Sequence, residues 1–174
     1  SVIPCQIRGK AMRPIRGGGS EPFLTYTFLR GQEQALIDLV ESPEMVHYCL
    51  DRLFDFCYEN TRRIYERAPG QVTISYVSED MGSQKGLLYS PAHIREFLIP
   101  RMKRMIDLVR QAGAFVFHHN DGAVRKILPD MVAAGIDVLN PVQWRCAGME
   151  REGLKRDFGD ALVFHGGVDN QQTL

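Results

Sequence analysis

Apolar runs that end in polar residues recur along the chain and predict the strands of a parallel sheet. The run at 114–117 opens into two histidines, an asparagine and an aspartate. Runs at 72–77, 135–143 and 159–169 likewise lead into acidic, amide or imidazole side chains. Strands that are apolar along their length are covered on both faces, as in parallel sheets. We therefore predict four buried parallel strands whose polar ends lie along one edge.

Segments with helical periodicity separate these runs. Ser42-Pro43 and Ser90-Pro91 each offer an N-cap serine and a first-turn proline, which predicts helices over 42–69 and 90–113. Gly113, Gly135 and Gly159 are predicted to end the helices before the strands in a left-handed conformation. Shorter helices are predicted over 31–40, 123–134 and 148–158. Pro100 is expected to break the helix over 90–113, and Pro129 the helix over 123–134. The segment 23–29 suits either a strand or the approach to a helix.

Alternation of strand and helix with these short spacings predicts a (β/α) barrel, with a functional site at the carboxyl ends of its strands. A complete barrel typically has roughly 250 residues, and this chain has 174. We therefore expect residues 1–174 to form a single barrel domain that is incomplete at both ends. The basic, glycine-rich stretch at 13–20 is predicted to be a loop, although three consecutive glycines could also cradle an anion through backbone N–H groups.

Composition excludes some partners and favours one compartment. A formal net charge of +0 and 44% hydrophobic residues give no reason to expect a nucleic-acid partner. No apolar run approaches the roughly 18 residues that a membrane helix needs, and no signal peptide is visible. The four cysteines are scattered without a C-x-x-C pair, so a reducing, cytoplasmic location is expected.

His119 and Asp121 form a His-x-Asp pair at a predicted strand end. The pair suits two ligands of a metal ion, or an acid and a base in catalysis. The alternative is structural, with Asp121 capping the next helix and His119 bonded within the rim. By alternation His118 faces the opposite side of the strand, which favours a packed histidine.

The other strand ends supply further candidates. Glu79 and Asp80 are adjacent, so only one can face the site, and we favour Asp80 as a catalytic group. His165 is a catalytic candidate because two glycines follow it and allow close approach. Trp144 and Arg145 would suit stacking or pairing with a flat, carboxylated ligand, and the alternative is that they form an exposed loop tip. The candidates for substrate binding are Glu79, Asn140, Gln143 and Asp169.

These motifs resemble the uroporphyrinogen decarboxylase superfamily, and its divergent decarboxylase-like branch in particular. The resemblance runs from about residue 31 to the end and implies a (β/α)8 TIM barrel, of which this chain holds roughly strands 3 or 4 to 7. It is carried by Ser-Pro-Glu at 42–44, Asp-Met-Gly-Ser-Gln at 80–84, Leu-Leu-Tyr-Ser-Pro at 87–91, His-Asn-Asp-Gly at 119–122, Ala-Gly-Ile-Asp-Val-Leu-Asn-Pro-Val-Gln at 134–143, Leu-Lys-Arg-Asp-Phe-Gly at 154–159 and Phe-His-Gly-Gly-Val-Asp at 164–169.

The resemblance implies an enzyme and leaves its chemistry open. The first expectation is a cofactor-free carboxy-lyase of porphyrin biosynthesis, acting on the acetate side chains of a tetrapyrrole. The alternative is a methyltransferase that uses zinc and a corrinoid, with a methyl-donor substrate and a corrinoid protein as partner. Such relatives hold zinc through His-x-Cys and a later cysteine, which would lie beyond residue 174. Here His119-x-Asp121 replaces the thiolate with a carboxylate, which suits zinc less selectively. The third hypothesis is a catalytically silent barrel fragment or a corrinoid-binding partner subunit. Homodimers are common in the family.

Overall fold

A five-stranded parallel sheet is the centre of the computed structural model, which describes residues 6–7, 10–11 and 14–169. The strands of this sheet lie side by side in chain order, and each pairs in parallel with the next. A separate antiparallel pair precedes them. The strands are β1 (Gln6–Ile7), β2 (Lys10–Ala11), β3 (Arg16–Ser20), β4 (Ile74–Val77), β5 (Phe115–His119), β6 (Val138–Asn140) and β7 (Val163–Phe164).

Helices connect consecutive strands of the parallel sheet, which makes the fold part of a (β/α)8 barrel. A π-helical turn at Ile94–Leu98 and a 3-10 turn at Arg125–Ile127 adjoin two of the helices. The helices are α1 (Pro22–Arg30), α2 (Gln32–Glu41), α3 (Pro43–Arg67), α4 (Pro91–His93), α5 (Ile99–Gln111), α6 (Leu128–Ala134) and α7 (Arg151–Phe158). Among the described residues, none of these helices is both long and apolar enough to cross a membrane.

The predicted helix breaks fall beside the two prolines. The N–H of Ile99 bonds to the carbonyl of Ile94, so the helix passes through a π-helical turn directly before Pro100, which has no N–H to donate. Pro129 lies in the first turn of α6, where its missing N–H removes no helix bond. The long helix predicted over 90–113 is therefore divided into α4, the π turn and α5.

Three expectations are wrong. Residues 16–20 form strand β3 instead of a loop. A Cβ at position 18 would lie only 2.5 Å from Cγ2 of Thr61 on α3, so the lack of a side chain on Gly18 lets the strand pack against this helix. The segment 23–29 lies in α1 and is not a strand. Gly113 and Gly135 have the predicted positive φ, but Gly159 has a φ of −66° and continues the right-handed helix.

The two faces of the sheet have different roles. Val77 and Val116 are buried in the core, and the Ser75 hydroxyl lies 2.6 Å from the Tyr65 hydroxyl of α3, so these alternate positions face the helices. Tyr76 and Phe117 project from the opposite face, where their rings stack 4.7 Å apart. His119 shares that opposite face by alternation and follows Phe117 at the carboxyl end of β5.

Candidate functional site

Two loops at the carboxyl end of the sheet bring the first three candidate residues together. Asp80 follows β4, His119 ends β5, and Asp121 follows β5. One ligand atom from each of these side chains lies within 4.8 Å of the other two. His119 Nε2 is 3.6 Å from Asp80 Oδ1 and 3.9 Å from Asp121 Oδ2. Both distances exceed a hydrogen bond, so the three groups face a common point without bonding to one another.

Glycines allow the two loops to pack this closely. A Cβ on Gly82 would lie 2.4 Å from the carbonyl oxygen of Asp121, and a Cβ on Gly122 would lie 2.5 Å from the carbonyl carbon of Gly82. Gly122 also has a φ of +83°, which side-chain-bearing residues rarely adopt. The N–H of Asp121 donates to Asp80 Oδ1 at 3.3 Å across the same contact. The glycines therefore set the distance between the two carboxylates.

Asn140 determines which nitrogen of His119 carries the proton. The Asn140 amide nitrogen donates to the carbonyl oxygen of His165 at 3.3 Å and to His165 Nδ1 at 2.8 Å. The Asn140 Oδ1 atom therefore faces His119 Nδ1 at 3.2 Å and accepts its N–H. Neutral His119 then has its lone pair on Nε2, directed at two carboxylates. This arrangement of one lone pair and two carboxylates suits a cation bound between the three groups.

Gln143 orients the second carboxylate in the same way. Its amide oxygen accepts the N–H of Gly122 at 2.9 Å, which directs its amide nitrogen toward Asp121 Oδ1 at 3.0 Å. Burial raises the pKa of Asp121, Asp80 raises it further, and His119 opposes the rise. The Asp121 side chain thus accepts a hydrogen bond from Gln143. It does not cap the following helix, as the sequence allowed, because the 3-10 turn that follows has no side-chain cap.

His118 belongs to a separate, buried hydrogen-bond chain. Its Nδ1 donates to the carbonyl oxygen of Val77, and its Nε2 accepts from the Asn120 amide nitrogen at 3.3 Å. Asn120 Oδ1 in turn accepts the N–H of Met81 at 2.9 Å. Burial lowers the pKa of His118 to about 4, although the bond to Val77 opposes that change. This histidine is neutral and holds the β4–β5 connections together.

Glu79 faces the helix layer, away from the cluster. Only 1% of its surface is exposed, and its two carboxylate oxygens accept the N–H groups of Phe23 and Leu24 at 2.9 Å each. These are unpaired donors of the first turn of α1, whose N-cap residue makes no side-chain cap bond. Burial raises the pKa of Glu79 to about 8, against the lowering effect of the two N–H donors. Its side chain caps a helix, which does not fit the substrate-binding role expected for it.

The remaining candidates lie further along the same edge. His165 contacts the cluster only through Asn140, and its ring packs edge-on against Phe117 at 5.1 Å. Asp169 forms an ion pair with Arg145. The Arg145 guanidinium also lies 4.4 Å from the centre of the Trp144 ring. Arg145 therefore already has a carboxylate partner within the chain.

A cavity of about 560 Å³ adjoins the cluster, and two of the three ligand candidates line it. Its volume is in the range of small-molecule sites. Most of the cavity wall comes from helices α1 and α2. The predictions from the sequence did not include this wall, although the spacing of Phe23 and Tyr26 after Pro22 indicated a helix there. The lining residues are Phe23, Leu24, Thr27, Phe28, Gln32, Leu36, Asp80, Gly82, Leu88, Tyr89 and Asp121.

The chemistry available at this edge is that of an oxygen- and nitrogen-rich cation site beside an apolar cavity. Two carboxylates and an imidazole lone pair suit a divalent cation, and oxygen ligands favour harder ions than a thiolate would. Asn140 and Gln143 supply the outer hydrogen bonds that orient the ligands of metal sites in general. Among the described lining residues of the cavity, none carries a positive charge.

Comparisons with known proteins agree with this architecture. The family model described as Uroporphyrinogen decarboxylase (URO-D) matches residues 8–174. A solved structure described as a methyltransferase from Methanosarcina mazei is similar with a TM-score of 0.60 at 19% identity, over 77% of this chain. The chain spans 37% of the length of that methyltransferase. No curated protein matches the sequence.

Proposed function

Because the chain belongs to the uroporphyrinogen decarboxylase family, whose members are decarboxylases and methyltransferases, we propose that it forms the metal-binding part of a group-transfer enzyme. In this proposal Asp80, His119 and Asp121 bind a divalent cation. The observation that carries it is the lone pair of His119 Nε2, which Asn140 directs toward two carboxylates. Methyl transfer, with a corrinoid protein as donor, is the alternative reaction of the family that uses a metal ion, and it is the one that a cation at this site would support.

The donor set fits a cation. A metal-binding imidazole normally donates its other N–H to an oxygen acceptor, and Asn140 Oδ1 is that acceptor for His119. Bound there, a divalent cation would act as a Lewis acid that lowers the pKa of a coordinated thiol or water. The carboxylate of Asp121 makes the site less selective for zinc than a cysteine ligand would.

The remaining residues of the site orient the substrate and exclude water. Phe23, Leu36 and Leu88 give the cavity an apolar wall, which would take the hydrocarbon part of a small substrate. Gln143 keeps Asp121 directed toward His119, and Tyr89 donates its hydroxyl hydrogen to the carbonyl oxygen of Asp80 at 3.2 Å. These contacts would keep the two carboxylates in place when a substrate enters.

Cofactor-free decarboxylation of a tetrapyrrole is the second candidate, and it agrees less well with this edge of the sheet. A multiply carboxylated substrate needs cationic partners. The described lining of the cavity offers Asp80 and Asp121 and no lysine or arginine. The decarboxylase hypothesis therefore depends on positive residues elsewhere in the protein.

Metal content tests the proposal. Elemental analysis of the whole protein is expected to find a divalent metal that is bound in stoichiometric amount and is lost in His119→Ala and in Asp121→Ala. His93→Ala and Asp160→Ala, which change the same residue types outside the cluster, should keep it. Absence of metal from the wild-type protein, together with uroporphyrinogen decarboxylation in excess EDTA, would reject the proposal and support the second candidate.

A further inference from the structure

A buried hydroxyl without a partner marks a second place on the same face of the sheet. Ser78 directly follows β4, and its N–H continues the ladder by donating to the carbonyl oxygen of Ser20 at 2.9 Å. The Ser78 side chain is 3% exposed, and its Oγ has no hydrogen-bond partner among the described residues. Burying a hydroxyl without a hydrogen-bond partner destabilises the folded protein. The Ser78 hydroxyl is therefore a candidate to bind a ligand.

Arg16 lines the same cavity as this hydroxyl and presents a charge that has no ion-pair partner among the described residues. Its guanidinium carbon is 3.6 Å from the centre of the Tyr76 ring, so one face of the planar group is covered and its N–H edge is left free. None of the ion pairs formed by the described residues includes Arg16. A stacked arginine with a free edge is the usual partner of a planar, two-oxygen anion.

The two groups border one cavity. Arg16, Tyr76 and Ser78 all line a cavity of about 210 Å³. Tyr76 and Ser78 point to the same face and are two residues apart, which is about 6–7 Å along a strand. A carboxylate that accepts a hydrogen bond of about 2.8 Å from a donor on each side spans such a gap. Residues 17–19 are glycines, so no side chain from this stretch fills the cavity.

Neighbouring charges restrict the ligand to a single negative charge. Glu21 also lines the cavity and would repel a dianion such as phosphate more strongly than a carboxylate. Cys57, on the cavity wall, adds no charge, because burial raises the pKa of its thiol. An organic monocarboxylate is therefore the class of ligand that suits these contacts.

We propose that Arg16 and Ser78 form a binding site for the carboxylate of a small organic acid. Arg16 would donate from its guanidinium edge, and Ser78 would donate its hydroxyl hydrogen to the other oxygen. The backbone ladder also joins this site to the cluster, because the N–H of Glu79, next to Ser78, donates to the carbonyl oxygen of His119 at 3.2 Å. The site does not depend on whether the cluster binds a metal.

Ligand-observed NMR with propionate tests the site, and propionamide is the matched neutral probe. Propionate is titrated into the whole protein in excess EDTA, at constant ionic strength, so that coordination to a metal cannot contribute. Wild-type protein is expected to bind propionate and to bind propionamide at least tenfold more weakly. Arg16→Gln should weaken propionate binding about tenfold or more, and Ser78→Ala about three- to tenfold.

Arg104→Gln is the control, because its guanidinium also lies over aromatic rings but belongs to the α3–α5 surface, 4.8 Å from the centre of the Phe54 ring. It should bind propionate like the wild type. Equal affinity of wild type, Arg16→Gln and Ser78→Ala for propionate would overturn the carboxylate site. Metal analysis of the same variants separates the two proposals, since Arg16→Gln and Ser78→Ala are expected to keep the metal that His119→Ala loses.

Discussion

Replacing Glu79 with glutamine removes a buried titratable group while keeping nearly the same shape. The carboxylate caps α1 by accepting the N–H groups of Phe23 and Leu24. Glutamine keeps one oxygen acceptor and turns an NH₂ group toward the other N–H. The lost bond leaves a buried donor without a partner, so Glu79→Gln should lower the free energy of unfolding by about 1–3 kcal/mol at pH 5.

The same substitution should remove a dependence of stability on pH. Burial raises the pKa of Glu79 from its ordinary value of 4.5 to about 8. Between these values the folded protein keeps a proton that the unfolded chain has released, so the free energy of unfolding falls as the pH rises. The slope for one proton is about 1.4 kcal/mol per pH unit. Glutamine does not titrate, so the stability of the wild type relative to the variant should fall by about 4 kcal/mol from pH 5 to pH 8 and change sign within that range.

His118 has the opposite effect over part of that range. Burial lowers the pKa of His118 from 6.5 to about 4, so between these values the unfolded chain binds the extra proton and stability rises with pH. The opposite effects of Glu79 and His118 on the free energy of unfolding therefore nearly cancel in the wild type between pH 4.5 and 6.5. From pH 6.5 to 8 the Glu79 effect stands alone and amounts to about 2 kcal/mol.

Urea unfolding followed by far-UV circular dichroism, at half-unit steps from pH 5 to 8, measures this difference. Glu152→Gln changes an exposed acid in the first turn of α7. It controls for the replacement of a carboxyl group by an amide and should follow the wild-type curve. A wild-type minus Glu79→Gln difference that stays constant across the range would refute the reasoning. That result would mean that the two N–H donors keep the carboxylate ionised at all these pH values.

Two further predictions concern the geometry of the sheet edge. Asn140→Ala should weaken metal binding about 10- to 100-fold without removing a ligand, because His119 loses the acceptor that sets its tautomer. Competition with a fluorescent chelator measures the metal affinity, and an unchanged affinity would exclude the orienting role of Asn140. Gly19→Ala should prevent folding or destabilise by more than about 3 kcal/mol, because its Cβ would lie 1.8 Å from the carbonyl oxygen of Tyr76. Gly86→Ala meets no atom within 4 Å and should unfold near the wild-type temperature, so equal losses in both variants would contradict the close-contact argument.

The sequence by itself determined the strands that depend on local pattern. The apolar runs before His119, Asn140 and His165 became β5, β6 and β7, as expected for strands of a parallel sheet, although Val163 of β7 is 53% exposed. Their order along the chain predicted the parallel sheet. The residues that follow them met at one edge, since parallel strands all end on the same side.

Only the tertiary structure decided which polar residues share a site. Periodicity could not assign Glu79 or Asp80 to a face, and the choice follows from the first turn of α1, whose N–H groups take the Glu79 carboxylate. Strand β3 was missed because three glycines carry no hydrophobic pattern. They form a strand because α3 and β4 come too close for side chains. The tautomer of His119 and the unpartnered hydroxyl of Ser78 likewise arise from contacts between segments distant in sequence. Local pattern predicted the apolar strands, whereas strand β3 and the hydrogen-bond partners depend on which segments pack together.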